Sequence, residues 1–247
     1  MSSLTMTYTR RNLAENIRTP TMFLTVALVP VGVMVFFVVP FIGQDAVAIT
    51  SATATLVVFG VLMACVGHFS VAIAAQRESA WGSYLRTLPG GITPQILGYL
   101  LVGLVVVAAA IIPILLVAGL FTAASAPPPR VLLASGALLV AVVTFTLLGL
   151  AMGYLLSMRV AAIANSIGFL PLAVAGGMFF DEADTPEIIA QIAPFVPTRG
   201  ATDLVLVALT GESVGGALSL VMLAVWIVVL AGLTVWGYRR DQVRRFD

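Results

Sequence analysis

Residues 46–123 read AVAITSATATLVVFGVLMACVGHFSVAIAA (46–75), QRESAWGSYLRTLPGGITPQ (76–95) and ILGYLLVGLVVVAAAIIPILLVAGLFTA (96–123). A helix rises about 1.5 Å per residue, so about 20 apolar residues cross a hydrocarbon core of about 30 Å. Both flanks exceed that length, and the middle piece carries Arg77, Glu78, Arg86 and the breaker Pro89-Gly90-Gly91. The stretch is two membrane spans joined by a polar connection. An all-α integral membrane fold follows, because lipid offers backbone N–H and C=O groups no partner outside the helix itself.

Composition agrees along the whole chain. Of its 247 residues 60% are hydrophobic and 9% charged, against about 25% charged in a soluble domain. Six segments pass the length test: 21–42, 46–75, 95–123, 131–156, 160–180 and 213–237. The first, TMFLTVALVPVGVMVFFVVPFI, is too long for the apolar region of a cleaved signal and is expected to stay in the membrane. No repeat or linker is visible, so 1–247 reads as a single transmembrane domain.

Orientation follows from the arginines, since short cytoplasmic loops collect basic residues. Six spans put both termini on one side. That side holds Arg10, Arg11, Arg18, Arg77, Arg86, Arg159, Arg239, Arg240, Arg244 and Arg245, and the other only Arg130 and Arg199. The second side collects Asp45, Asp181, Glu182, Asp184, Glu187, Asp203 and Glu212 instead. Cytoplasmic termini in a plasma membrane are expected. Residues 1–20 mix Leu4, Met6, Leu13 and Ile17 with arginines, the pattern of a helix lying in the headgroup plane. Residues 181–212 hold apolar runs too short to span, broken by Pro194 and Pro197, and read as short re-entrant helices in the outer leaflet.

Most chemistries lack their residues. One His and one Cys cannot build a zinc site, and His68 stands in no nucleophile motif. The lone Cys65 allows no intramolecular disulfide. Every basic side chain is arginine, so no P-loop lysine exists to reach a nucleotide phosphate. The chain is therefore expected to have no ATPase site, cofactor or metal of its own; any ATP and magnesium would sit on another polypeptide. A net charge of +1 without a clustered basic face gives no reason to expect nucleic acid. Polar residues inside spans remain candidates. His68 and Asn165 read either as interhelix hydrogen-bonding groups or as lining of a transport pathway. Gly149 and Gly153 form a G-x-x-x-G that permits close helix approach.

The layout resembles the membrane subunit of ABC-2 type transporters, the permeases of daunorubicin-type and other bacterial ABC exporters. Arg77-Glu78 opens, and Tyr84-Leu85-Arg86-Thr87-Leu88-Pro89 closes, an element that in this family precedes span three, with Ala80-Trp81 where a Gly-Thr pair is usual. On the other side Gly176, Gly177, Phe179, Phe180, Pro186 and Pro194-Phe195-Val196-Pro197 follow the family's order, although Asp181 replaces a commoner proline. Arg18-Thr19-Pro20 is similar to an Arg-Asn-Pro entry to span one.

The resemblance implies that 76–94 is the coupling helix docking on a cytosolic ABC ATPase. Arg77, Glu78, Trp81, Tyr84, Leu85, Arg86 and Pro89 would form the contact, a short amphipathic element suited to a groove. It implies a second permease, identical or related, as partner beside membrane lipids. Phe179 and Phe180 join His68 and Asn165 as candidate pathway residues. The expected function is export of a hydrophobic or amphipathic drug, antibiotic or lipid. The alternatives are an ATP-independent channel or secondary transporter and a non-transporting membrane scaffold; neither a clear repeat nor a midspan carboxylate favours the former.

Overall fold

The computed structural model describes residues 20–42, 45–79, 93–180, 185–211 and 216–243. The expected headgroup-plane helix at 1–20 and the residues 80–92 of the expected coupling helix lie outside them. The described elements are helical throughout. Helix α1 (Pro20–Val33) runs through a π-helical turn, Met34–Val38, into a last turn, Val39–Ile42. The N–H of Val39 reaches back to the carbonyl of Met34. Pro40, one residue further on, has no N–H for the carbonyl of Phe36, and the ladder slips where that partner is missing.

Then come α2 (Ala46–Glu78), α3 (Thr93–Phe121), α4 (Pro128–Leu155) and α5 (Met158–Ala175). Short α6 (Glu187–Ile192) leads through a 3-10 turn (Ala193–Phe195) into α7 (Pro197–Thr210), and α8 (Gly216–Val243) closes the chain. Helices α2, α3, α4, α5 and α8 are each long and apolar enough to cross a membrane. Helix α6 with its 3-10 turn meets α7 at 84°, as a broken span or a re-entrant loop would.

Boundaries differ from expectation where local chemistry intervenes. Helix α2 continues past 75 to Glu78 and so carries Arg77 and Glu78 on its own last turn. The fifth helix stops at Ala175 rather than 180, because Gly176 caps it and Gly177 turns the chain at φ 72°. The fourth starts at Pro128, a residue that needs no N–H partner in a first turn. Asp45 caps α2, its Oδ1 accepting from the N–H of Val47 at 2.9 Å and Ala48 at 3.3 Å.

Helix α2 is the axis of the bundle, buried from Thr53 through Ser70 apart from Thr55, while its neighbours leave a larger share of their lengths exposed. Lipid tails are as apolar as leucine, so packing and hydrogen bonding rather than the hydrophobic effect hold such helices together. Small residues supply the close approach. A Cβ on Gly149 would stand 2.8 Å from the carbonyl oxygen of Cys65, and one on Gly153 2.8 Å from Cβ of Ile73. The G-x-x-x-G of the sequence thus seats α4 on α2 within the chain. Phe59, Phe69 and Phe145 are fully buried in the same core. Hydroxyls inside the helices bond back one turn, as Thr53 does to the carbonyl of Ile49 at 2.7 Å and Thr144 to that of Val140 at 2.9 Å. No donor is left to lipid at those positions.

Candidate functional site

The C-terminus of α2 gathers three other helix ends. Arg77 Nε donates to Asp241 Oδ1 of α8 at 3.0 Å, and its Nη1 donates to the carbonyls of Gly153 at 2.8 Å and Leu156 at 3.1 Å. Those carbonyls belong to the last turn and cap of α4, where a helix has acceptors without internal partners and a negative dipole end. Next in sequence, Glu78 accepts at Oε1 from the N–H of Met158, the first residue of α5, at 2.8 Å. A carboxylate there meets an orphan donor and the positive dipole end. Ser157 adds a weaker cap, accepting from the N–H of Val160 at 3.5 Å. One dipeptide therefore grips both sides of the α4–α5 turn and, through Asp241, the end of α8.

Neighbouring contacts reinforce the grip. Tyr154 and Tyr238 meet edge to face at 5.8 Å, and a Cβ on Gly237 would lie 2.9 Å from that of Tyr154. The guanidinium of Arg240 lies 5.4 Å from the ring centre of Trp236. The side chains of Arg77 and Asp241 are 24% and 13% exposed, so water screens the pair only in part. Trp81, Tyr84, Leu85, Arg86 and Pro89, expected to complete this element, lie outside the described residues; the chain enters them directly from Ser79.

The pathway candidates fall in two places. His68 is buried within α2, its ring edge to face with Phe69 at 5.0 Å, and its Nε2 has no partner among the described residues. Asn165 packs on the same level, its amide 3.5 Å from where a Cβ of Gly67 would be. Phe179 instead stacks edge to face on Phe59 at 5.3 Å, nine residues and about 14 Å along α2 from His68. With Phe180 it borders a cavity of about 410 Å³ at the far end of the bundle.

That far end holds residues the sequence reading did not single out. Thr198 donates to the carbonyl of Leu172 at 2.9 Å, and Gly176 leaves room for its side chain. Arg199 Nε donates to Asp203 Oδ2 at 3.3 Å. The i, i+4 spacing of the opposite charges was the available signal. Asp241 gave none, since 164 residues separate it from Arg77.

Among known families, that of ABC-2 type transporters matches residues 3–210. No curated protein and no solved structure gives a match. The match covers most of the chain, including Arg77, Glu78, the turn they hold and the bent α6–α7 pair, and ends before Asp241. The chain belongs to the ABC-2 type transporter family and is a permease component of an ABC transporter, a membrane subunit whose family associates with an ABC ATPase.

Proposed function

We propose that the chain is the membrane half of an ATP-driven exporter, six spans deep with both termini in the bacterial cytoplasm. It moves a hydrophobic or amphipathic drug, antibiotic or lipid outward and works beside a second permease. ATP and magnesium sit on the separate ATPase, since the chain offers no P-loop lysine. The ATPase docks on 76–94, with Trp81, Tyr84, Leu85 and Arg86 as contact residues and Pro89 ending the element. The carrying observation is the grip of Arg77 and Glu78 on α4, α5 and α8. A push on residues 80–92 reaches α2 at its last turn. Through short bonds to three helix ends it is delivered to all of them together.

Labelling, association and hydrolysis measurements test this. In a Cys65→Ser background, a cysteine at position 184 should react with an impermeant maleimide added outside intact cells, and one at 242 should not; the reverse pattern overturns the topology. With the ATPase co-expressed, Trp81→Ala should reduce its co-purification by more than about fivefold, the size expected from truncating an interface anchor. Arg77→Ala should leave co-purification intact but lower substrate-stimulated hydrolysis in reconstituted membranes. Unchanged association, stimulation and export in both variants would make 76–94 a plain connection, and ATP-independent uptake or efflux by the chain alone would favour a channel or secondary transporter.

A further inference from the structure

The cavity of about 410 Å³ at the far end lies between α1, the start of α2, the turn after α5 and α7, within the about 300–1,000 Å³ of small-molecule sites. Phe37, Val38, Phe179 and Phe180 give it an apolar wall, and Thr202 and Asp203 of α7 line its inner side. Asp203 is fully buried and Thr202 is 6% exposed. Arg199 Nε stands 3.3 Å from each carboxylate oxygen and hydrogen-bonds only Oδ2, longer than the about 2.7–2.9 Å of a tight charged pair. Asp203 Oδ1 and Thr202 Oγ1 have no hydrogen-bond partner among the described residues. Both residues line the cavity, and their two unpartnered oxygens lie just beneath its surface, sealed from water, a state that costs free energy until a donor arrives or a side chain turns toward one.

We propose that this cavity binds a protonated amine carried on an apolar body, its N–H groups donating to Asp203 Oδ1 and Thr202 Oγ1. Arg199 lines the same cavity and balances the Asp203 charge through Oδ2, so the ammonium is favoured by N–H donation to the oxygen Arg199 leaves unbonded and by the aromatic side chains of Phe37, Phe179 and Phe180 in the wall. An anion has no N–H to give Asp203 Oδ1. A quaternary ammonium has the charge but no N–H. The second cavity, about 280 Å³ between α2, α3, α4 and α7, makes no such demand, because its Thr50 and Thr53 hydroxyls already bond the carbonyls of Ala46 and Ile49. That the occupant is cargo rests on the export reading; that the cavity binds amines does not. The same chemistry occurs in a free amphipathic amine and in an ethanolamine lipid headgroup.

The test uses the full chain in phosphatidylcholine nanodiscs and radiolabelled dodecylammonium, with binding to empty nanodiscs subtracted. Saturable binding is expected, with dodecyltrimethylammonium and dodecyl sulfate competing at least about tenfold more weakly, the worth of a lost charge-assisted hydrogen bond. Asp203→Asn should weaken binding by more than about tenfold, and Thr202→Val, which keeps the shape and the Arg199 pair, by about three- to tenfold. Absence of saturable binding, equal competition by the trimethyl compound, or an unchanged affinity in a well-folded Thr202→Val overturns the proposal. Adding phosphatidylethanolamine to the disc distinguishes the sources: competition identifies the headgroup as an occupant, lack of it a free amine, and either supports the site. A partner ATPase still stimulated by a chain that binds no amine would remove the pocket and leave the transporter reading intact.

Discussion

The two ends of the bundle are held by different means. At the arginine-bearing end, one residue pair bonds across chain separations of 76 to 164 residues, and its donors and acceptors meet helix termini that lack internal partners. At the far end the one described ion pair, Arg199 with Asp203, stays within a single helix and leaves a carboxylate oxygen open. There the helices are joined by hydroxyls on carbonyls and by glycines under side chains, with cavities between them. Charge used between elements ties several helix ends to one another. Charge used within one element leaves the helices around it without an ionic tie to one another.

The strongest challenge to this contrast is at the middle that both ends share. Gly149→Leu would drive a side chain into the carbonyl of Cys65 and the Cβ of Phe69, and overpacking of this kind costs about 1–3 kcal/mol or more. Loss of monodisperse protein in detergent is the expected outcome; a normal melting temperature would mean that α4 does not sit where described. At the arginine end, Asp241→Ala should destabilise by about 1–2 kcal/mol, since Arg77 keeps its two carbonyl partners and loses one charged bond. Thermal unfolding reads that loss, and Arg77→Lys should fall between wild type and Arg77→Ala because an ammonium lacks the planar fork. At the far end, Thr198→Val removes a single neutral hydrogen bond and should cost about 1 kcal/mol. If Thr198→Val proved as damaging as Arg77→Ala, the two ends would not differ as described.

Much of this architecture is legible in the order of residues, and the part that is not has a physical cause. Apolar length announces α2, α3, α4, α5 and α8, and the arginine asymmetry anticipates that Arg77 and the end of α8 share one side, as their ion pair shows. Gly149 and Gly153 announce a close approach but not its partner, because packing of small residues carries no address. Arg77 and Glu78 read as groups for an external partner, and the bonds they also make inside the chain were not legible, since orphan carbonyls and N–H groups at helix ends are invisible until the ends are placed. Asp203 looked like one more outer-side charge; only the fold reveals that it is buried.

The central position of α2 also has a consequence for biosynthesis. Its surfaces at Cys65, Phe69 and Ile73 are covered in the finished protein, yet Gly149 and Gly153, which seat on them, are about 80 residues further along and emerge on the order of ten seconds later at about 5–20 residues per second. During that interval a nascent helix carrying His68 in its C-terminal third has to stay in the bilayer or its insertion machinery without its final neighbours. Slowing synthesis after residue 80 therefore lengthens the time for which these faces of α2 lack the glycines that cover them.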